Sequence, residues 1–187
     1  MIALRQSRSM QETAMKTLTD HLTQYAAYHQ DSRNVATHFV GIPMIVLAVT
    51  ILLSRPQWQM GALLLSPAVL VALGSAWFYA RLDARFGIAM AMLLADSLAA
   101  SQWFAAQSTS VWLGWGIGLF VLGWAIQFLG HYYEGKKPAF VDDLVGLLVG
   151  PLFLVAETAF HFNMRTDVRD EIRRRLGSVP APAGVAA

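Results

Sequence analysis

The chain has no cysteine among its 187 residues. That excludes disulfide staples, thiolate metal sites and cysteine nucleophiles. Charge is scarce as well: 14% of residues are Asp, Glu, Lys or Arg, against roughly 25% in an ordinary soluble domain. With 56% apolar residues, this balance points to a membrane. A formal net charge of +2 and the lack of a basic cluster interleaved with aromatics argue against nucleic acid as a partner. There is no G-x-S-x-G, no Gly-rich loop leading into Lys-Ser/Thr and no H-E-x-x-H. The first 20 residues hold no apolar run of the kind a cleavable signal needs. No long-period repeat is present.

What the chain does have is apolar length. From Lys16 the pattern is helical, with Leu18, Leu22, Tyr25 and His29 on one face and Thr19 or Asp20 as the cap. Asp31 to Asn34 reads as a turn. Four stretches follow, Val35–Leu53, Met60–Tyr79, Phe86–Gln107 and Val111–Leu129. At ~1.5 Å per residue, each approaches the ~30 Å hydrocarbon thickness of a bilayer. Pro67 falls inside the second stretch, where a helix in lipid tolerates it. Asp96 predicts a face of the third turned into the bundle, and Gly114 and Gly118 make a GxxxG in the fourth. Leu144–Phe162 is apolar too, but Gly150-Pro151 interrupts it and it carries Glu157. Met164–Leu176 reads as a charged helix with Asp170–Arg174 and Glu171–Arg175 pairs.

The fold expected is all-α, a polytopic membrane helix bundle. It comprises about four transmembrane helices, an N-terminal amphipathic helix and a re-entrant or interfacial helix. Residues 1–15 read as a loose leader, 16–177 as one membrane helical domain and 178–187 as a disordered tail.

Positive residues prefer the cytoplasmic side. With Arg5, Arg8, Lys16 and Arg33 inside, two hairpins place Arg81, Arg85, Lys136 and Lys137 inside also. A fifth full span would send Arg165, Arg169 and Arg173–Arg175 outside, so Leu144–Phe162 is expected to re-enter or to lie against the cytoplasmic face. His29, His38, His131 and His161 then share one depth; His21 reads as an edge residue. Imidazole suits iron, zinc, copper and nickel, and open positions on Fe(II) permit O2 activation. Glu134 follows His131 by three and Glu157 precedes His161 by four, so each can orient its histidine or ligate in its place. Asn34 reads as a turn or cap residue, or as a group holding a histidine or a substrate carboxylate. Lys136, Lys137 and Arg33 read as solvated positive-inside charges.

The pattern Tyr28-His29-x4-Asn34-x3-His38-x2-Gly41-x-Pro43 is followed far along the chain by Gln127-Phe-x-Gly130-His131-x2-Glu134-x3-Pro138-Ala139. Together they resemble the Fe(II)-dependent 2-hydroxy fatty acid dioxygenases of fatty-acid α-oxidation, small membrane proteins of fungal endoplasmic reticulum and many bacteria. The likeness covers about Leu18 to Phe162. It implies an Fe(2+) cofactor, removal of one carbon from a 2-hydroxy acyl chain by O2, and essential histidines, carried over to His29, His38 and His131 and more loosely to His161. The site expected comprises these four as catalytic and metal residues, Glu134 and Glu157 as supporting or alternative ligands, and Asn34, Tyr28 and Lys137 around the substrate. The partners are a long-chain 2-hydroxy fatty acid, O2 and the lipid bilayer. The setting expected is a bacterial cytoplasmic membrane, with the histidines on its cytoplasmic side. Two other classes use the same residues: a non-enzymatic metal or proton carrier that also employs Asp96, and a dinuclear membrane hydroxylase or desaturase. The second carries H-x-x-H-H clusters, which this sequence lacks.

Overall fold

The computed structural model describes residues 16–61, 63–138 and 144–177. The leader 1–15 and the tail 178–187 lie outside the described residues. Seven helices and one small hairpin make up the described chain, an all-α bundle.

Helix α1 (Leu18–Ala26) is capped by Thr17, two residues earlier than the sequence pattern suggests. Thr17 Oγ1 accepts the N–H of Asp20, and the Asp20 carboxylate accepts the N–H of Thr17 at 2.8 Å, closing a reciprocal capping box. The helix buries Leu18, Leu22, Tyr25 and Ala26. After a short turn, α2 (Ser32–Leu52) starts on an Asp31 cap, whose carboxylate accepts the Arg33 N–H at 2.8 Å.

The second apolar stretch does not begin as a helix. Trp58–Met60 (β1) and Leu63–Leu65 (β2) form an antiparallel hairpin. Only then does α3 (Pro67–Leu82) start, with Ser66 as cap. Proline has no N–H to give to an i−4 carbonyl, so it costs nothing in a first turn and much in an interior. Pro67 is therefore a helix start. Asp83 caps α4 (Ala84–Ala105), accepting the N–H groups of Arg85 and Phe86. Helix α5 (Thr109–Glu134) returns and ends on Gly135, whose φ of 68° is the left-handed conformation that glycine adopts freely.

Helices α2, α4 and α5 are long and apolar enough to cross a membrane. Helix α3, at 16 residues, spans about 24 Å. Their outer faces carry Trp77, Ile88, Trp103 and Val121, all more than half exposed. Lipid suits so continuous an apolar surface. Asp96 is also exposed on α4, not turned into the bundle as the sequence suggests.

Helix α6 (Gly146–His161) does not run the length of the bundle. Near its start the Leu148 carbonyl accepts the Tyr79 hydroxyl at 2.8 Å, close to the end of α3. Just beyond its finish, Arg165 pairs with Asp83 at 2.9 Å, at the same end. Both ends of α6 thus abut one end of the bundle, and α7 (Thr166–Gly177) leaves it at a 111° bend. The bent pair has the form of a broken span or a re-entrant loop. Glu171 pairs with Arg175 as expected, whereas Asp170 pairs with Arg169. The main core lies here: Leu22, Leu152 and Ala156 are wholly buried, with Tyr79, Phe86 and Met90 packed beside them.

The α2–α5 pair forms a separate seam, and its glycines are not the GxxxG pair. Gly114 and Gly118 have open space where a Cβ would stand. Gly116, Gly123 and Gly130, spaced by seven, face α2 instead. A Cβ on Gly123 would lie 2.8 Å from Ile45 Cγ1, and one on Gly130 would strike Thr37 and Asn34. From the other side, a Cβ on Gly41 would meet the Gly123 carbonyl oxygen at 2.8 Å. This backbone-to-backbone approach sets the register of the two helices and hence the position of the histidines.

Candidate metal centre

Three of the four expected histidines meet. His29 leaves the turn after α1, His38 sits one turn along α2 from Asn34, and His131 follows Gly130 on α5. All are buried, at 4%, 2% and 7% exposure. Their ring centroids lie 4.4 to 5.1 Å apart. One nitrogen from each ring falls within 4.8 Å of the others.

Hydrogen bonding settles the tautomers of two of them. His29 Nδ1 lies 2.7 Å from the Tyr25 carbonyl and His38 Nδ1 lies 2.8 Å from the Asn34 carbonyl. A carbonyl oxygen can only accept, so both Nδ1 atoms carry the proton. Each Nε2 then holds a bare lone pair, and the two face each other at 3.0 Å. Two lone pairs at that distance repel unless a cation lies between or beside them. His131 Nδ1 is buried with no hydrogen-bond partner. An orphaned ring nitrogen beside two converging lone pairs is a donor set that could hold a metal ion, with the outer nitrogens of His29 and His38 fixed by backbone carbonyls. Burial also holds the His29 imidazole at about 4, well below the ordinary 6.5, so the ring stays neutral.

The surroundings hold this geometry. Tyr25 stacks on His29 with centroids 4.1 Å apart and planes within 5°. Glu134 is not aimed at the histidines. Its oxygens accept the N–H groups of Gln30 at 2.9 Å and Asp31 at 2.7 Å, together with Asn34 Nδ2 at 3.2 Å. Glu134 thus clamps the turn that carries His29. Asn34, wholly buried, also donates to the Tyr28 carbonyl at 3.3 Å. Lys136 adds a bond to the Ala27 carbonyl at 2.9 Å.

Other candidates stand apart. His161 is exposed at the end of α6, its ring against Phe162, outside the three-histidine group. Equal depth does not confer equal direction, and α6 carries His161 off across the end of the bundle. Glu157, half-buried on the same helix, is also outside the group. His21 packs edge-on against Phe78. Tyr28 packs against the core, and Lys137 is exposed on the loop after α5.

A groove opens from the histidines between α2, α5 and α6. His38 and His131 form its head, and Ile42, Ile45, Val46 and Leu147 continue it. Gln127, which opens the second sequence motif but carries no role there, also lines this groove, one turn before His131. Its signal was present: it shares the α5 face of Gly123 and Gly130.

A family model described as 2-hydroxy-palmitic acid dioxygenase Mpo1-like matches residues 15–162. The 2-hydroxy-palmitic acid dioxygenase MPO1 of Saccharomyces cerevisiae is 31% identical over 145 residues, which cover 76% of this chain and 80% of the yeast protein. No solved structure matches the chain. The matched region contains all three converging histidines and the glutamate that clamps them, and the chain belongs to the Mpo1-like family.

Proposed function

We propose that this protein is an iron-dependent dioxygenase that shortens long-chain 2-hydroxy fatty acids by one carbon at a membrane interface. The observation that carries the proposal is the convergence of three buried imidazoles at the mouth of an apolar groove, in a bundle of membrane-compatible helices. The family and the yeast relative supply the substrate class.

His29, His38 and His131 would hold the ion. Fe(II) bound by these residues would supply O2 activation. The chain's own residues do the rest. The Tyr25 and Asn34 carbonyls fix the tautomers of His29 and His38, and the Tyr25 ring holds the plane of His29. Glu134 and Asn34 keep the turn in place. The groove shields the reacting carbon from water and takes the acyl chain, while the carboxyl end remains among the histidines. The positive-inside preference favours the cytoplasmic side for that end. One O2 per acid balances as the acid one carbon shorter, carbon dioxide and water.

The test is oxygen uptake by the purified, iron-loaded protein on addition of 2-hydroxypalmitate, with product analysis. Equimolar O2 consumption with appearance of the fifteen-carbon acid is expected. No uptake by a protein that holds iron would overturn the proposal.

A further inference from the structure

Gln127 is 6% exposed, and its Oε1 is buried with no hydrogen-bond partner. A buried carboxamide oxygen left unpaired costs about 1–3 kcal/mol relative to a paired one, and such groups call for an explanation. Its position supplies one. Gln127 lies four residues before His131 on α5, so it stands about 6 Å along the helix axis from the metal-side histidine. It lines the groove together with His131 of its own helix and with His38, Ile42, Ile45 and Val46 of α2. Its side chain is held there by the absence of a side chain opposite: a Cβ on Gly41 would lie 3.1 Å from Gln127 Cγ.

We infer that Gln127 is a positioning and specificity residue that accepts a hydrogen bond from the 2-hydroxyl of the substrate. The inference rests on the function proposed above and adds how the site recognises the hydroxyl. Gln127 lines the groove and its Oε1 has no partner, so that acceptor is satisfied only by a donor brought into the groove. An ionised carboxylate has no proton to give, and the methylenes of the chain have none either, whereas the 2-hydroxyl has one. That hydroxyl is on the carbon next to the carboxylate, so a substrate with its head at the histidines and its tail along Ile42, Ile45 and Val46 brings it into the head of the groove. A fatty acid without the hydroxyl would leave Oε1 unpaired in an apolar place. Sites built to bond a hydroxyl reject the analogue that lacks it far more strongly than apolar pockets reject an extra group.

The experiment uses the full chain in lipid nanodiscs, loaded with Fe(II) and kept free of O2 so that no turnover occurs. Affinities for 2-hydroxypalmitate and for palmitate are measured, and the preference is their ratio. The variants are Q127M, which keeps the volume and removes the acceptor, Q127L as a second apolar replacement should Q127M not fold, and Q127E, which keeps an acceptor. Iron per chain is determined for each. Wild type is expected to prefer the hydroxy acid. Q127M or Q127L should lower that preference by on the order of 10- to 100-fold with iron content unchanged, and Q127E should retain it. An unchanged preference in the apolar variants overturns the inference while leaving the proposed function intact. An equal loss in Q127E and Q127M also overturns it, because that is the mark of packing. If the wild type does not prefer the hydroxy acid, the inference and the proposed function both fall.

Discussion

Glu134 Oε2 accepts the backbone N–H of Asp31 at 2.7 Å across 103 positions of sequence. Oε1 takes the neighbouring Gln30 N–H, so one carboxylate holds two consecutive amides of the turn between His29 and α2. Replacing Glu134 by Gln leaves one acceptor oxygen for a job that uses two. E134Q is expected to weaken metal binding by about 10- to 100-fold, the usual cost of removing a group that orients a ligand. Competition with a graded series of chelators measures this directly.

The three histidines should act as a unit. His29→Ala, His38→Ala and His131→Ala are each expected to reduce bound iron to the background of the metal-free protein and to abolish oxygen uptake. His161→Ala should leave both at wild-type levels, because its ring lies outside the group. Iron content by mass spectrometry of the purified variants decides the matter; loss of iron in the His161 variant would restore it as a ligand.

The α2–α5 seam makes a sharp distinction among glycines on a single helix. Gly123→Ala or Gly130→Ala drives a methyl into α2 and should cost about 1–3 kcal/mol, with metal binding impaired as the register shifts. Gly114→Ala and Gly118→Ala meet open space and should be close to neutral. Thermal unfolding in detergent separates the two pairs.

Val46 lines the groove beyond the histidines. Val46→Phe fills that space and is expected to lower kcat/KM about tenfold or more for 2-hydroxypalmitate, with a smaller effect on shorter 2-hydroxy acids, since one to three kcal/mol of lost fit is worth 10- to 200-fold. A series of chain lengths assayed side by side is the check. An equal loss for every length would exclude the groove as the acyl site.

At the far end of α1, Asp20 joins the capping box and binds Arg175 of α7 at 2.6 Å. The Thr17 backbone N–H, with help from its hydroxyl and the Arg175 guanidinium, holds the Asp20 carboxyl below its ordinary 3.8. Its native pKa lies under the unfolded value, so the stabilisation is present above pH 3.8 and is lost as pH falls through the native value. D20N should lower Tm at neutral pH by about 2–4 °C, what ~1 kcal/mol is worth in a chain of this size. The difference from wild type should shrink in acid below that range. Melting curves at two pH values are sufficient.

The sequence by itself determined that this chain is a bundle of apolar helices, that an amphipathic helix precedes them, and that histidines lie where apolar stretches end. Those features are local, since hydrophobic run length, 3.6-residue periodicity and the position of polar breaks are read one segment at a time. The Gly150-Pro151 break and the charges that follow also set Leu144–Phe162 apart from the four other apolar stretches. Only the tertiary structure decided direction around the helices. Depth is a one-dimensional property that charge bias reveals, but whether His131 or His161 turns towards His38 depends on how closely two backbones approach. Gly123 meeting Gly41 fixes that for α5, whereas Gly150 brings the start of α6 against Tyr25 and Ile42 and leaves His161 at its other end outside the group. The same close approach leaves Gln127 facing the groove and Glu134 in reach of the His29 turn, pairings between residues some hundred positions apart that no local pattern encodes.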